Sequence, residues 1–460
     1  MHLENELRRY FGFEHFKPGQ EAIIENVIKD THTLGVLPTG SGKSLCYQLP
    51  TYIKQKPTLI ISPLISLMDD QVAQMKMNGE ERVIQIHSGL SESERYQHLK
   101  RLHSSRFIYM SPEFLLQPHN LRRIENIDFG LIVLDEAHCI SEWGYDFRPH
   151  YVLIQKAIKR FKNATILALT ATKPPYLAQD LERVLGLELN EIMTTMNRDN
   201  IMLSHRNCCD QEEKMEWLTK QLSESGPTIV YVSSKKMCHE IAKRIYEAGY
   251  LTGIYHADLS YEERFTVQQQ FLANDISIIV ATSAFGMGIN KKDIRTIIHF
   301  HLPANPANYL QEIGRTGRDG GLSQAISLYQ PDDYYLLETL IFSDMITSAD
   351  IEQFELGTQL PEPKHDQLSL LSENFSIREL KHIFETTNLR KEEALMKMME
   401  YTRLNSCRRT YLLSYFNDQC EQAEYCCDNC DNIIPIQAFN RKKVLMQYKY
   451  SDKLKSLFLK

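Results

Sequence analysis

The sequence predicts an α/β fold: two tandem parallel-sheet domains followed by a small helical, metal-bearing domain. Three observations carry that expectation. Short apolar runs alternate with helix-length amphipathic text through the first 340 residues, the strand signal stops near Asp344, and five of the ten cysteines crowd between Cys407 and Cys430.

The runs HTLGVL, PTLIIS, RVIQIH, RFIYMS, FGLIVLD and ATILALT make up a first set, and PTIVYVS, LTGIYH, ISIIVAT and TIIHF a second. Continuous β-branched runs separated by helices describe parallel strands buried on both faces. A boundary is expected between Asn197 and Arg206, ahead of the helical text QEEKMEWLTKQLSES. Further on, FSIRELKHIFETTNLRKEEALMKMMEY reads as helix, whereas ELGTQLPEPKHDQLS, with its two prolines, reads as an exposed loop or linker. The expected divisions are 1–200, 201–342, a helical metal module at 343–435 and a basic tail at 436–460.

With 43% apolar and 24% charged residues over 460 positions, the chain is neither disordered nor fibrous. Its 52 Lys and Arg against 59 Asp and Glu give a net charge of -7, so any nucleic-acid contact rests on local basic patches. No run approaches the ~20 apolar residues of a membrane span, and MHLENELRRYFGFEHF lacks a signal-peptide core. A cytoplasmic monomer without membrane partners is expected. Clustered cysteines in such a compartment point to a metal rather than to disulfides.

The text LPTGSGKSLCYQLP follows a strand and opens a helix, as a phosphate-binding loop requires. Gly40 and Gly42 let the backbone curl around an anion, and Thr39, Ser41 and the helix amino end bring N–H groups to it. Lys43 would neutralise the β- and γ-phosphates and the Ser44 hydroxyl would hold Mg²⁺. Leu37 stands where the full motif has its first glycine. Directly after the strand in FGLIVLDEAH come Asp135 and Glu136, at the end of a parallel strand where ligands bind. Asp135 would orient Mg²⁺ and Glu136 would take the proton of an attacking water. In YLQEIGRTGRDG, Arg315 and Arg318 are three residues apart, on one face if the segment is helical, and neither has an evident folding role. An arginine reaching across an interdomain cleft would stabilise charge on the γ-phosphate. Together these motifs describe ATP bound between two domains.

At this point the chain resembles the superfamily-two helicases, and within them the RecQ DNA helicases. ISPLISLMDDQV, FIYMSPE, LALTATK, VYVSS and ATSAFGMGINKKDIR are similar to their remaining motifs. The resemblance implies two RecA-like domains, ATP, Mg²⁺ and Zn²⁺ as cofactors, and single-stranded or partly duplex DNA as the partner. It makes Gln20 in FGFEHFKPGQ the contact to adenine, with Lys17 where the family usually has Arg. In DEAHCISEWGYDFRPHY, Trp143, Tyr145 and Phe147 would stack on unpaired bases and Arg148 would reach a phosphate, coupling DNA occupancy to hydrolysis at Glu136. Glu142 replaces the family's glutamine there. CRRTYLLSYFNDQCEQAEYCCDNCDN resembles the RecQ zinc module, in which Cys427, Cys430 and Cys407 are ligands. The fourth is Cys426 or Cys420, and relatives carrying the same CCDNC text favour Cys426. Fuller RecQ proteins continue into a winged helix, for which the 28 residues after Asn432 leave no room. The basic, aromatic tail suits a phosphate-tracking arm or an amphipathic helix. The expected activity is ATP-dependent 3'-to-5' DNA unwinding in repair or recombination. The alternatives are an RNA helicase, a translocase that does not separate strands, and a DNA-annealing scaffold without turnover.

Overall fold

In the computed structural model the chain forms two compact units, Met1–Met196 with Asp344–Thr387, and Asn197–Ser343 with Asn388–Lys460. The structure describes residues 2–142, 149–223, 225–286, 291–343, 345–419, 425–430 and Tyr450.

The first unit holds a seven-stranded sheet of β1 (Thr33–Val36), β2 (Thr58–Ile61), β3 (Val83–Ile86), β4 (Phe107–Met110), β5 (Leu131–Leu134), β6 (Thr165–Thr170) and β7 (Asn190–Met193). Its order is β3-β4-β2-β5-β6-β1-β7, with every pairing parallel. Parallel strands send all their carboxyl ends to one edge. Only β6 separates β5 from β1, so the loops that follow these two strands start about 10 Å apart. The apolar runs are what bury the sheet: β1, β2, β4, β5 and β6 have no exposed residue, and Ile60, Tyr109, Val133 and Leu167 share one core cluster with Met68, Val72 and Met75 of the helix Ile65–Met77.

The second unit holds β8 (Ile201–Asn207), β9 (Thr228–Tyr231), β10 (Thr252–Tyr255), β11 (Ile278–Ala281), β12 (Thr296–His299) and β13 (Ser323–Tyr329), in the order β10-β11-β9-β12-β13-β8 and again all parallel. Period-two alternation shows both faces covered. Val230, Ile278, Val280 and Ile298 point into one cluster, and their neighbours Ile229, Ile279, Ala281 and Ile297 into another. The helix read from QEEKMEWLTKQL is Gln211–Leu222, started by Asp210, whose carboxylate accepts the Glu213 N–H at 2.9 Å.

The two units divide between Met196 and Asn197, at the start of the expected boundary segment Asn197–Arg206, most of which is β8. One reading of the sequence changes: ELGTQLPEPKHDQLS is not a loop, because Glu362–Ser372 is a helix, with prolines at its start and Leu368 and Leu371 buried. The long helical text is one helix, Ile377–Thr402. Among the described residues no helix is long and apolar enough to cross a membrane.

Candidate ATP site, arginine turn and cysteine knuckle

The loop between β1 and the helix Leu45–Lys54 is braced from below. Gln20, 3% exposed at the start of the helix Gln20–Ile28, donates Nε2–H to the carbonyls of Ser41 (2.8 Å) and Gly42 (3.1 Å) and accepts the Lys17 N–H at 2.9 Å. Lys17 Nζ donates to the Gly40 carbonyl at 3.0 Å. These contacts turn the loop carbonyls toward the protein. Gly40 and Gly42 take positive φ, 81° and 79°, which frees N–H groups for an anion.

Lys43 Nζ lies 3.5 Å from Glu136 Oε1. Glu136 follows β5 at φ 48°, a left-handed conformation rare outside glycine and of the kind retained at functional sites. On its other side Glu136 Oε2 is 3.4 Å from His138 Nδ1. His138 is fully buried, which holds its imidazole below the usual range and therefore neutral. The Thr170 hydroxyl donates to the Thr172 carbonyl at 2.9 Å, so its lone pair accepts from His138 Nδ1–H at 3.0 Å. The carboxylates are thereby tied to the end of β6.

Asp135 is 4% exposed, and burial, followed by repulsion from Glu136, raises its carboxyl above the usual range. Its Oδ1 accepts the Glu136 N–H at 3.1 Å, while Oδ2 is buried with no hydrogen-bond partner among the described residues. Ser41 Oγ is in the same condition. A buried carboxylate oxygen without a donor is costly unless a cation supplies the missing partner. The donor set of Ser44, Asp135 and the loop N–H groups thus fits Mg²⁺ with a nucleoside triphosphate. His138, Thr170 and Thr172 were not singled out by sequence, although each stands inside a quoted motif.

In the second unit, the helix Pro306–Ile313 ends before the arginines, and residues 314–319 form turns. The one-face argument for Arg315 and Arg318 therefore does not apply. Arg315 also has a folding role after all: it is 4% exposed and donates Nη1–H to the Gly286 carbonyl, and its guanidinium lies where a Cβ at position 286 would have to go. Arg318 is half-buried.

Four thiols converge near the start of the helix Arg408–Ser414: the sulfurs of Cys407, Cys426, Cys427 and Cys430 all lie within 4.8 Å of one another. Cys407 and Cys426 are 3.4 Å apart, Cys427 and Cys430 3.6 Å. Tetrahedral Zn–S bonds of about 2.3 Å place sulfurs roughly 3.8 Å apart, so the cluster fits zinc. Burial opposes a thiolate at Cys407, yet hydrogen bonds from Thr410 and the neighbouring thiols hold it down at about 6, while burial pushes Cys426 up to about 12. Trp143, Tyr145, Phe147, Arg148 and Cys420 lie outside the described residues, as does the side chain of Glu142.

A phosphate loop and paired carboxylates on one parallel sheet, followed by a second parallel sheet bearing an arginine turn, define a superfamily-two helicase. Residues 17–180 match the DEAD/DEAH box helicase model, 213–320 the helicase conserved C-terminal domain and 374–432 the RecQ zinc-binding domain. The chain is 37% identical to a probable ATP-dependent DNA helicase RecS of Bacillus subtilis across 99% of this chain and 98% of that protein. It is 33% identical to the ATP-dependent DNA helicase RecQ of Pasteurella multocida, across 92% of this chain and 61% of the relative's length. Among solved structures, S. cerevisiae Dbp5 bound to RNA and ADP BeF3 shares the fold with a TM-score of 0.60 at 19% identity, over 82% of this chain and 97% of that one. The chain belongs to the RecQ family of ATP-dependent DNA helicases.

Proposed function

We propose that this chain couples ATP hydrolysis to 3'-to-5' movement along single-stranded DNA and unwinds duplex DNA during repair or recombination. The observation that carries the reading is the convergence of Lys43, Glu136 and the unpartnered Asp135 oxygen at one end of a parallel sheet. Thr39, Gly40, Ser41, Gly42, Lys43 and Ser44 would hold the triphosphate, and Gln20 would meet the adenine while bracing the loop. Ser44 and Asp135 would hold Mg²⁺, which supplies charge neutralisation on the phosphates. Glu136 would take the proton of the attacking water, its own charge balanced by Lys43 until substrate arrives. Arg318 is the proposed charge-stabilising arginine, and Arg315 orders the turn that bears it. Trp143, Tyr145, Phe147 and Arg148 are the proposed DNA contacts. Cys407, Cys426, Cys427 and Cys430 would hold one Zn²⁺ in the metal module proposed at 343–435; the polarity rests on the family resemblance, and a cytoplasmic monomer is proposed.

The test is ATP hydrolysis measured with single-stranded DNA, duplex DNA and RNA in parallel, alongside unwinding of substrates tailed at either end. Stimulation by single-stranded DNA with unwinding from a 3' tail is expected. Stimulation by RNA alone would make it an RNA helicase, stimulation without strand separation a translocase, and DNA binding without turnover an annealing scaffold.

A further inference from the structure

The segment Asn197–Asn200, just ahead of β8, is a knot of hydrogen bonds within the second unit. From one side it is held by Arg409, in the first turn of the helix Arg408–Ser414 and 3% exposed. Arg409 Nη1 donates to Asn197 Oδ1 (2.7 Å) and to the Arg198 carbonyl (2.9 Å), and Nη2 donates to the carbonyls of Ile201, Tyr425 (3.2 Å) and Cys426 (3.2 Å). One guanidinium therefore binds the cysteine knuckle to the backbone of Arg198.

The Arg198 side chain faces the arginine turn. Its Nη2 donates to the carbonyls of Gly317 (2.7 Å) and Thr316 (3.2 Å), its Nη1 to that of Gly314 (3.5 Å), and its Nε to Asn200 Oδ1 (3.3 Å). Asn200 Nδ2 adds bonds to Gly317 (2.8 Å) and Gly321 (2.9 Å). Gly317 sits at φ 52°, and a Cβ there would run into the Asn200 amide and the Ser323 hydroxyl, so the position is closed to other residues. The Gly317 carbonyl belongs to the peptide that joins Gly317 to Arg318. Two donors on that oxygen fix the plane of the peptide and with it the direction in which Arg318 leaves the backbone. Arg315, two residues before Gly317, is independently anchored on Gly286.

We infer that Arg198 is a positioning residue for Arg318: it holds the Gly317–Arg318 peptide, and Arg409 holds Arg198 in turn. The inference rests on the proposed part of Arg318 in hydrolysis. Arginine is required because its planar fork meets several carbonyls at once, whereas a lysine ammonium on a flexible stem cannot reproduce that geometry. Misplacing a reacting group by about 1 Å costs on the order of 100-fold in rate, which sets the scale of the effect.

The experiment uses the full chain and measures ATP hydrolysis with saturating single-stranded DNA in Arg198→Lys, Arg318→Ala and the double variant. Arg318→Ala is expected to lower kcat, and Arg198→Lys to lower kcat by at least about ten-fold, within the scale of misplacement costs, with little change in KM for ATP. The double variant should be no slower than Arg318→Ala alone, and backbone hydrogen exchange over 314–321 should rise in Arg198→Lys. Should Arg198→Lys fail to fold, Asn200→Ala loosens the same peptide and is read in the same way. Losses that multiply in the double variant would make Arg198 merely structural and overturn the inference. If Arg318→Ala is impaired while Arg198→Lys turns over normally, this inference alone falls. If Arg318→Ala itself turns over normally, the proposed role of Arg318 falls and takes the inference with it.

Discussion

The carboxylate end of the first unit and the arginine turn of the second are made of similar material, parallel strands running into polar loops, but they satisfy their charges differently. In the first, Asp135 Oδ2 and Ser41 Oγ are buried with no partner among the described residues, and Lys43 makes a loose 3.5 Å contact with Glu136. In the second, Arg198, Asn200, Arg315 and Arg409 donate chiefly to backbone carbonyls, leaving the Nε of Arg315 and of Arg409 buried without a partner among the described residues. Deeper in the same unit the buried Lys214 pairs with Asp333 and donates to the Phe300 carbonyl at 2.9 Å. A ligand site keeps bonding capacity open, because the ligand must gain something on arrival. A supporting framework closes most of it, because each unmet polar group there only destabilises the fold.

The largest expected effect that would break this contrast is on the cysteine knuckle. Cys426→Ser should take the metal content from one zinc per chain to near zero, whereas Cys420→Ser should leave it near one. Structural zinc contributes about 10 to 16 kcal/mol of binding free energy in small modules, so proteolysis around the knuckle should accelerate as the metal is lost. The reverse pattern would move the fourth ligand to Cys420.

Next is Glu136→Gln, which keeps the side-chain shape but cannot take a proton. Hydrolysis should drop about 10²- to 10⁴-fold while nucleotide still binds and thermal unfolding stays where it was. A large loss of unfolding temperature would show that the open site is framework as well.

Lys214→Met tests the closed side. Removing one partner of a buried pair strands the other charge, so unfolding should require about 3 to 5 kcal/mol less. Adding Asp333→Leu to that variant should recover much of the loss. No recovery would mean that packing, not charge, is what Lys214 supplies.

The smallest effect belongs to Tyr401→Phe, which removes a hydroxyl 3.2 Å from that of the buried Tyr309. A net cost of about 1 kcal/mol in denaturant unfolding with unchanged hydrolysis is expected. A matching drop in kcat would extend the positioning framework to this helix.

What was legible in the sequence follows the same division. Lys43, Asp135 and Glu136 could be read because each stands in continuous local text at the end of an apolar strand. The bond from Arg315 to Gly286 spans 29 residues and that from Arg409 to the Arg198 carbonyl 211, and no local pattern announces either. The strands that went unread are β7, β8 and β13, and two of them, β7 and β13, are polar ones. β7 has two exposed residues at its start, and β13 buries Ser323, Gln324 and Ser327, satisfied within the sheet by contacts such as Gln324 Nε2 to Thr296 Oγ1 (3.2 Å) and Ser327 Oγ with His205 Nδ1 (2.8 Å). Hydrophobic periodicity cannot report a strand whose polar groups are paired by distant partners. The helix Glu362–Ser372 was missed for a related reason: two buried leucines are too few to outweigh two prolines in the text.

β8 lies at an edge of its sheet, and the segment at Cys426–Asp428 closes that edge: Leu203 N–H bonds to the Cys426 carbonyl at 3.2 Å, the Asp428 N–H to the Leu203 carbonyl at 3.0 Å, and the Asp428 carboxylate accepts the His205 N–H at 2.8 Å. Cover and covered strand are 223 residues apart, counted from His205 to Asp428. At about 5 to 20 residues per second, a ribosome completes β8 roughly 10 to 45 s before it delivers the cysteines. Throughout that interval the nascent chain carries an open strand edge beginning Ile-Met-Leu, a template for pairing with another chain. Chains cut short before Cys426, or made where zinc is scarce, should therefore be recovered as aggregates rather than as a smaller soluble enzyme, and yield in the cell becomes a measure of metal supply.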